Sequence, residues 1–199
     1  MRPSRYTLVA IILHWVMALG IFFLAGIGIA MTRLQLDPLR LFQLYQLHKS
    51  IGITILLAAI LRLAWRLVNK PPALPRSMTR FARKAAEGSH LLLYGFLILL
   101  PLSGWALVSA SVLDIPTVLY GVLPWPHLPV LSTLADKKPV EDALKVVHGY
   151  AAWALMALII AHAGAALHHH FIAKDDVMRR MLPERRKKSI PINIEGISP

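Results

Sequence analysis

Apolar residues along this chain gather into four long runs, near 8–31, 47–68, 90–111 and 144–172, separated by stretches rich in proline and charge. Each run reaches or passes the roughly 20 residues a helix needs to cross about 30 Å of hydrocarbon. Backbone groups in lipid must be satisfied within the protein, and no alternating pattern marks barrel strands. The pattern therefore predicts an all-α, integral membrane four-helix bundle. The first run follows Arg2 and Arg5, as a secretory leader would, but it is too long for a leader's apolar core and is read as the first spanning helix. Pro71 to Arg83, with three prolines and several cations, predicts a short connector. Residues 112–143 hold Pro116, Pro124, Pro126, Pro129 and Pro139 with Tyr120 and Trp125, a composition suited to irregular chain at a membrane surface. Residues 184–199 turn basic and then polar, so a bundle domain over 1–183 is expected to be followed by a disordered tail.

Composition sharpens this picture. The 199 residues are 56% hydrophobic and only 16% charged, with a net charge of +12, while mean hydropathy is +0.57. High hydropathy and high charge coexist only if they occupy separate stretches. The absence of cysteine excludes disulfides, thiolate metal sites, iron–sulfur clusters and thioether-linked haem. Sixteen of the 22 cations fall at the two termini and the 69–84 connector or the helix ends beside it; only Arg33, Arg40, Lys49, Lys137, Lys138 and Lys145 lie opposite. By the positive-inside rule both termini are cytoplasmic, with loops 32–46 and 112–143 outside. Topology and anionic lipid account for the basic charge, which calls for no nucleic-acid partner.

Nine histidines remain as candidate chemistry, most of them inside apolar runs. Ionisable groups there are costly and normally face the bundle interior, where they mark a ligand or ion path. His148 and His162 share the fourth helix. Fourteen residues bring the second back to within about 40° of the first and about 21 Å along the axis. His48 belongs to the outer side with His148, and His14 to the inner side with His162. One bis-histidine site in each leaflet suits haem b, whose iron takes two axial imidazoles. Each histidine taken singly is also explained as an interhelical hydrogen-bond donor; it is the matched depths that favour ligation. Arg62, fourteen residues after His48, returns to the same face at the inner level, where it can meet a haem propionate. His90, read as the start of the third helix, and His169 approach the inner water interface. They either bind a quinone head group or sit wet at the surface. The run His168 to His170 reads equally as solvated, His127 as surface, and Pro101 as a kink near Gly104. Trp15, Trp65 and Trp153 suit either a lipid belt or packing on a cofactor.

LHW at 13–15, QLHKSIGI at 46–53, LRLAWRL at 61–67 and GSHLLLYGFLILLPLSG at 88–104 resemble the bacterial cytochrome b561 family, as do His148 to His162, ALHHHF at 166–171 and RRMLP at 179–183. The resemblance spans about residues 5–183. It implies a di-haem b protein of the bacterial inner membrane, with haem iron held by His14 and His162 on the inner side and by His48 and His148 on the outer side. It further implies superoxide oxidase-like activity, in which an electron from superoxide at the outer face reaches ubiquinone at the cytoplasmic side, with His90 and His169 at the quinone. The outer loop 112–143 departs from the family pattern, which bears on the substrate. Two other functions fit the sequence: a cytochrome b subunit exchanging electrons between the quinone pool and a periplasmic protein partner, and a non-redox, histidine-rich metal transporter. The outer cations offer weak steering for an anion, since Asp37, Asp136, Glu141 and Asp142 largely offset them.

Overall fold

The computed structural model describes residues 4–75 and 78–183; the tail expected at 184–199 lies outside the described residues. Among the described residues four helices are long and apolar enough to cross a membrane: α1 (Leu8–Arg33), α2 (Pro38–Val68), α3 (Arg80–Ser109) and α5 (Lys138–Phe171). Between α3 and α5 the chain forms strands β1 (Thr117–Leu119) and β2 (Leu123–Trp125) and the short helix α4 (Pro129–Ser132). The fold is thus the expected membrane helical bundle, with an added hairpin between α3 and α5.

Three helices begin earlier than their apolar runs. The Asp37 side chain accepts from Arg40 N ahead of Pro38, so α2 starts at Pro38 and not near 47, and the loop expected at 32–46 shrinks to 34–37. The Thr79 hydroxyl caps α3 in the same way, which places His90 ten residues inside that helix and not at its start. Proline in its first turn opens α5 at Lys138, ahead of 144. In each case a cap or an N-terminal proline sets the boundary, whereas hydropathy marks only the stretch immersed in lipid.

The core lies among α1, α2 and α3, where Met17, Ile55 and Ala59 are buried and Ile21, Leu24, Ile51, Leu97 and Ile98 pack around them. Outward residues such as Leu19, Phe22, Val68, Trp153 and Ile160 are more than half exposed and form a coat for lipid. Helix α1 packs on α2, α2 on α3 and α3 on α5, but among the described residues no comparable packing joins α5 to α1 or α2. Leu155 is the one buried apolar side chain of α5. The inner face of α5 therefore stands off from its two opposite neighbours.

Each end of the bundle is closed differently. At the hairpin end, Gln46, Ser50 and Thr54 form a polar stripe one turn apart on α2. Gln46 Nε2 donates to Pro116 O at 2.9 Å, Tyr120 N donates to Ser50 Oγ at 2.9 Å, and the Thr54 and Tyr120 hydroxyls share a bond of 2.7 Å. The hairpin turn has positive φ at both Tyr120 (53°) and Gly121 (74°), the geometry that matches strand twist in tight hairpins. Residues 112–143, expected to be irregular, are thus partly ordered. His127, expected at the surface, is enclosed there, with its side chain 15% exposed and Nδ1 3.7 Å from Asp114. At the opposite, terminal end a strap over 172–183, including a 3₁₀ turn at Arg179–Met181, crosses beneath α1. Arg5 donates to the carbonyls of Arg179 and Leu182, Trp15 Nε1 donates to Met181 O at 2.8 Å, and Arg180 donates to Ala73 O.

Candidate functional site

The structure brings the four expected histidines together as two pairs, one toward each end. His14 of α1 faces His162 of α5 with ring centroids 6.3 Å apart, and His48 of α2 faces His148 of α5, also at 6.3 Å. The ring planes cross at 69° and 72°. An imidazole nitrogen lies about 1.1 Å from its ring centre and bonds a metal ion at about 2.0–2.1 Å, so two rings on opposite sides of one ion have centroids about 6.3 Å apart. Both pairs meet that condition, and both bridge the side of the bundle where α5 stands off. The donor set, two facing imidazoles at a separation one metal ion would span, fits a haem iron.

Each pair has its own support. His148 Nδ1 lies 2.9 Å from Ser103 Oγ, whose hydroxyl also donates to Leu100 O at 2.7 Å. The remaining lone pair of Ser103 Oγ can accept the Nδ1 proton, which leaves Nε2 as the free nitrogen. Such outer partners fix tautomer and ring orientation in histidine ligands. Gly104, the next residue, makes room: a Cβ there would come within 3.0 Å of His148 Cε1. His48 Nδ1 is buried without a hydrogen-bond partner, and Gly28 of α1 lies alongside, where a Cβ would be 3.8 Å from His48 Cε1.

At the terminal end His90 lies against the inner pair. Its ring lies 5.5 Å from that of His162, making a third imidazole beside the inner pair. Arg62 Nη1 donates to Ala10 O at 2.6 Å, within electrostatic reach of His14, His90 and His162. It lines a cleft with Arg5, Arg66 and Lys70, and Arg66 is held there over the Tyr94 ring at 5.5 Å. Arg62 and Arg66 on this wall suit an anionic group such as a propionate. His169, in the last turn of α5, is tied to Asp175 and is not in contact with His90. His170 Nδ1 is buried without a partner, so the His168 to His170 run is not a simple solvated face. Trp15 and Trp65 bind protein: Trp15 bonds the strap, and Trp65 Nε1 donates to Thr7 Oγ1 at 2.8 Å. Trp153 faces outward.

Ser103 and Asp175 were not visible as site residues in the sequence. The one signal for Ser103 was its place beside Gly104, and for Asp175 its place as an acid directly after a histidine run in a basic stretch.

The family model for prokaryotic cytochrome b561 matches residues 5–184. Cytochrome b561 homolog 2 of Escherichia coli (strain K12) is 33% identical over 180 residues, covering 90% of this chain and 92% of that protein. Cytochrome b561 homolog 1 of the same organism is 29% identical over 188 residues, 92% of this chain and 99% of its own. A protein of Yersinia pestis named probable superoxide oxidase CybB is 28% identical over 188 residues, 92% of this chain and 98% of its own.

Proposed function

Because the chain belongs to the prokaryotic cytochrome b561 family of multi-pass bacterial membrane electron-transfer proteins, which implies haem b, we propose that it binds two haems b and carries electrons from superoxide to ubiquinone. The observation that carries this reading is the pair of histidine sites at equal centroid separation, 6.3 Å, toward opposite ends of one bundle. His14 and His162 hold iron at the terminal end, and His48 and His148 hold iron at the hairpin end. When bound, haem supplies reversible one-electron chemistry. Ser103 keeps His148 in one tautomer, while Arg62 and Arg66 neutralise propionate charge at the inner site. The cation asymmetry puts the terminal end in the cytoplasm and the hairpin outside the inner membrane.

Superoxide fits the hairpin end through the name of the Yersinia pestis relative more than through charge. Arg40 pairs with Asp37, Lys137 with Asp114, Lys138 with Asp142 and Lys145 with Glu141, so most outer cations are already matched. Two superoxide anions each give up one electron and leave as dioxygen. The quinone at the terminal end takes both electrons and two protons from the cytoplasmic side, with His169 at its head group.

One observation favours a second reading. The hairpin exposes Tyr120, Val122 and Leu123, an apolar tip on which a periplasmic redox protein can dock, and that protein would then replace superoxide as donor. Rapid mixing of the purified, haem-loaded protein with superoxide and a short-chain ubiquinone separates the two readings. Superoxide oxidase activity requires b-type absorbance to appear on mixing and to decay with quinone concentration. If superoxide fails to reduce a protein that dithionite reduces fully, the first reading falls.

A further inference from the structure

Helix α5 ends in a turn that returns an acid onto its own last histidines. Ile172 N and Ala173 N both donate to His168 O, at 2.9 and 3.0 Å. Lys174 then takes φ of 53°, a left-handed conformation uncommon outside glycine and asparagine. The reversal lets Asp175 N donate to His169 O at 3.1 Å. Asp175 Oδ1 accepts from Val177 N at 3.0 Å, and Oδ2 lies 2.5 Å from His169 Nδ1. The two side chains are 19% and 18% exposed. The backbone bond and the Oδ1 cap already close the turn, so the bond from Oδ2 to the imidazole is not needed to hold it. Among the described residues, His169 is the one histidine with a carboxylate at hydrogen-bond distance.

We propose that Asp175 is the positioning residue of a proton relay: it holds the Nδ1 proton of His169 so that Nε2 carries the proton delivered to a quinone oxygen. The inference rests on the reading above that a quinone binds beside His169. An imidazole whose Nδ1–H is held by a carboxylate presents Nε2 on its far side, so the exchangeable proton is carried there. Conversion of quinone to quinol consumes two electrons, which arrive singly from the inner histidine site, and two protons. For each electron the Nε2–H bond breaks as an O–H bond forms on the quinone. Nε2 then regains a proton from cytoplasmic water, while Nδ1–H stays on Asp175 throughout. The groups facing His169 are Asp175 from the turn and His168 from its own helix, with ring centroids 6.0 Å apart. From α3 the titratable group against α5 is His90, which meets His162 seven residues away.

Asp175→Asn keeps an oxygen to cap Val177 and removes the charge; Asp175→Glu restores the charge. In haem-loaded, pre-reduced protein, reoxidation by a short-chain ubiquinone is followed by stopped flow from pH 6 to 9, and the tautomer of the His169 ring is read separately by ¹⁵N NMR in histidine-labelled protein, assigned with His169→Gln. Asp175→Asn is expected to slow reoxidation about tenfold and to turn the His169 ring from the Nδ1–H form to a mixture of tautomers, with Asp175→Glu recovering most of each. Haem content and reduction by superoxide stay as in the parent. If His169→Ala slows reoxidation while Asp175→Asn matches the parent across the pH range, the relay is overturned and the quinone site stands. If both variants match the parent, the quinone site itself is wrong and the relay falls with it.

Discussion

Gly104→Ala tests whether His148 is clamped at a ligand site or merely packed. The new Cβ would stand 3.0 Å from Cε1, 3.4 Å from Nδ1 and 3.8 Å from Nε2 of His148. Ordinary carbon contacts lie at about 3.5–4.0 Å, so the ring must yield by roughly half an ångström. Alanine gains about 1 kcal/mol over glycine in a helix interior, whereas overpacking of a tight site costs about 1–3 kcal/mol. Without haem the ring can rotate aside, and the two terms roughly cancel. With haem the ring is fixed by iron on one nitrogen and Ser103 on the other, so the clash remains. Haem at the outer site should then bind with about 1–2 kcal/mol less free energy, which is about 5–30-fold weaker. Gly149→Ala is the control, because nothing lies within 4 Å of that position; it should gain helix stability and leave both sites intact. Reconstitution with limiting haem, read by pyridine haemochrome against protein mass and by redox titration, should show Gly104→Ala losing one of two b-type components. Full occupancy with both midpoint potentials unchanged would refute the clamp.

Three further outcomes follow from the same geometry. The parent should carry two haems per chain, His148→Ala should lose the outer one and with it reduction by superoxide, and His162→Ala should lose the inner one; loss of both in either folded variant argues against separate sites. Reporter fusions at residue 130 and at the C-terminus should report opposite sides of the membrane, and matching sides would overturn the orientation. The Asp176 carboxyl is held below its usual range, chiefly by the hydrogen bond from Arg180. Its contribution to the strap is therefore complete above the unfolded value of about 3.9 and fades as pH falls through the lower folded value. Trp15 fluorescence should register that acid loosening, and Arg180→Ala should abolish the step.

What the sequence made legible was whatever a helix repeats regularly. The 14-residue interval from His148 to His162 is a property of one helix, so both the shared face and the axial separation could be read before any coordinates. His14 and His48 could be matched to them by depth because lipid thickness limits where each helix can sit. The partners of those histidines were hidden for a different reason. Ser103 meets His148 from a neighbouring helix whose rotation depends on packing. Asp175 meets His169 only because Lys174, a residue with no special tendency to do so, adopts positive φ. His90 was misplaced because the polar first turns of α3, from Arg80 to Glu87, lie outside the apolar run yet are helical. The hairpin escaped notice because two of its anchors, Ser50 and Thr54, were read as part of a hydrophobic helix and the third, Gln46, as the end of a loop.

The strap also bears on the order in which the molecule is made. Its bonds join Trp15 to Met181 and Arg5 to Leu182, residues 166 and 177 positions apart. During synthesis α1 enters the membrane first, and its terminal-end donors must wait until almost the whole described chain has emerged. Contacts of such separation close late. A nascent chain halted before residue 179 would hold all four spanning helices and both histidine pairs, yet leave Arg5 and the Trp15 indole without those carbonyls. Closure of the strap thus marks the point at which synthesis has passed residue 182, and quality-control proteases that sample loose ends could tell a chain beyond that point from one halted before it by this seam alone.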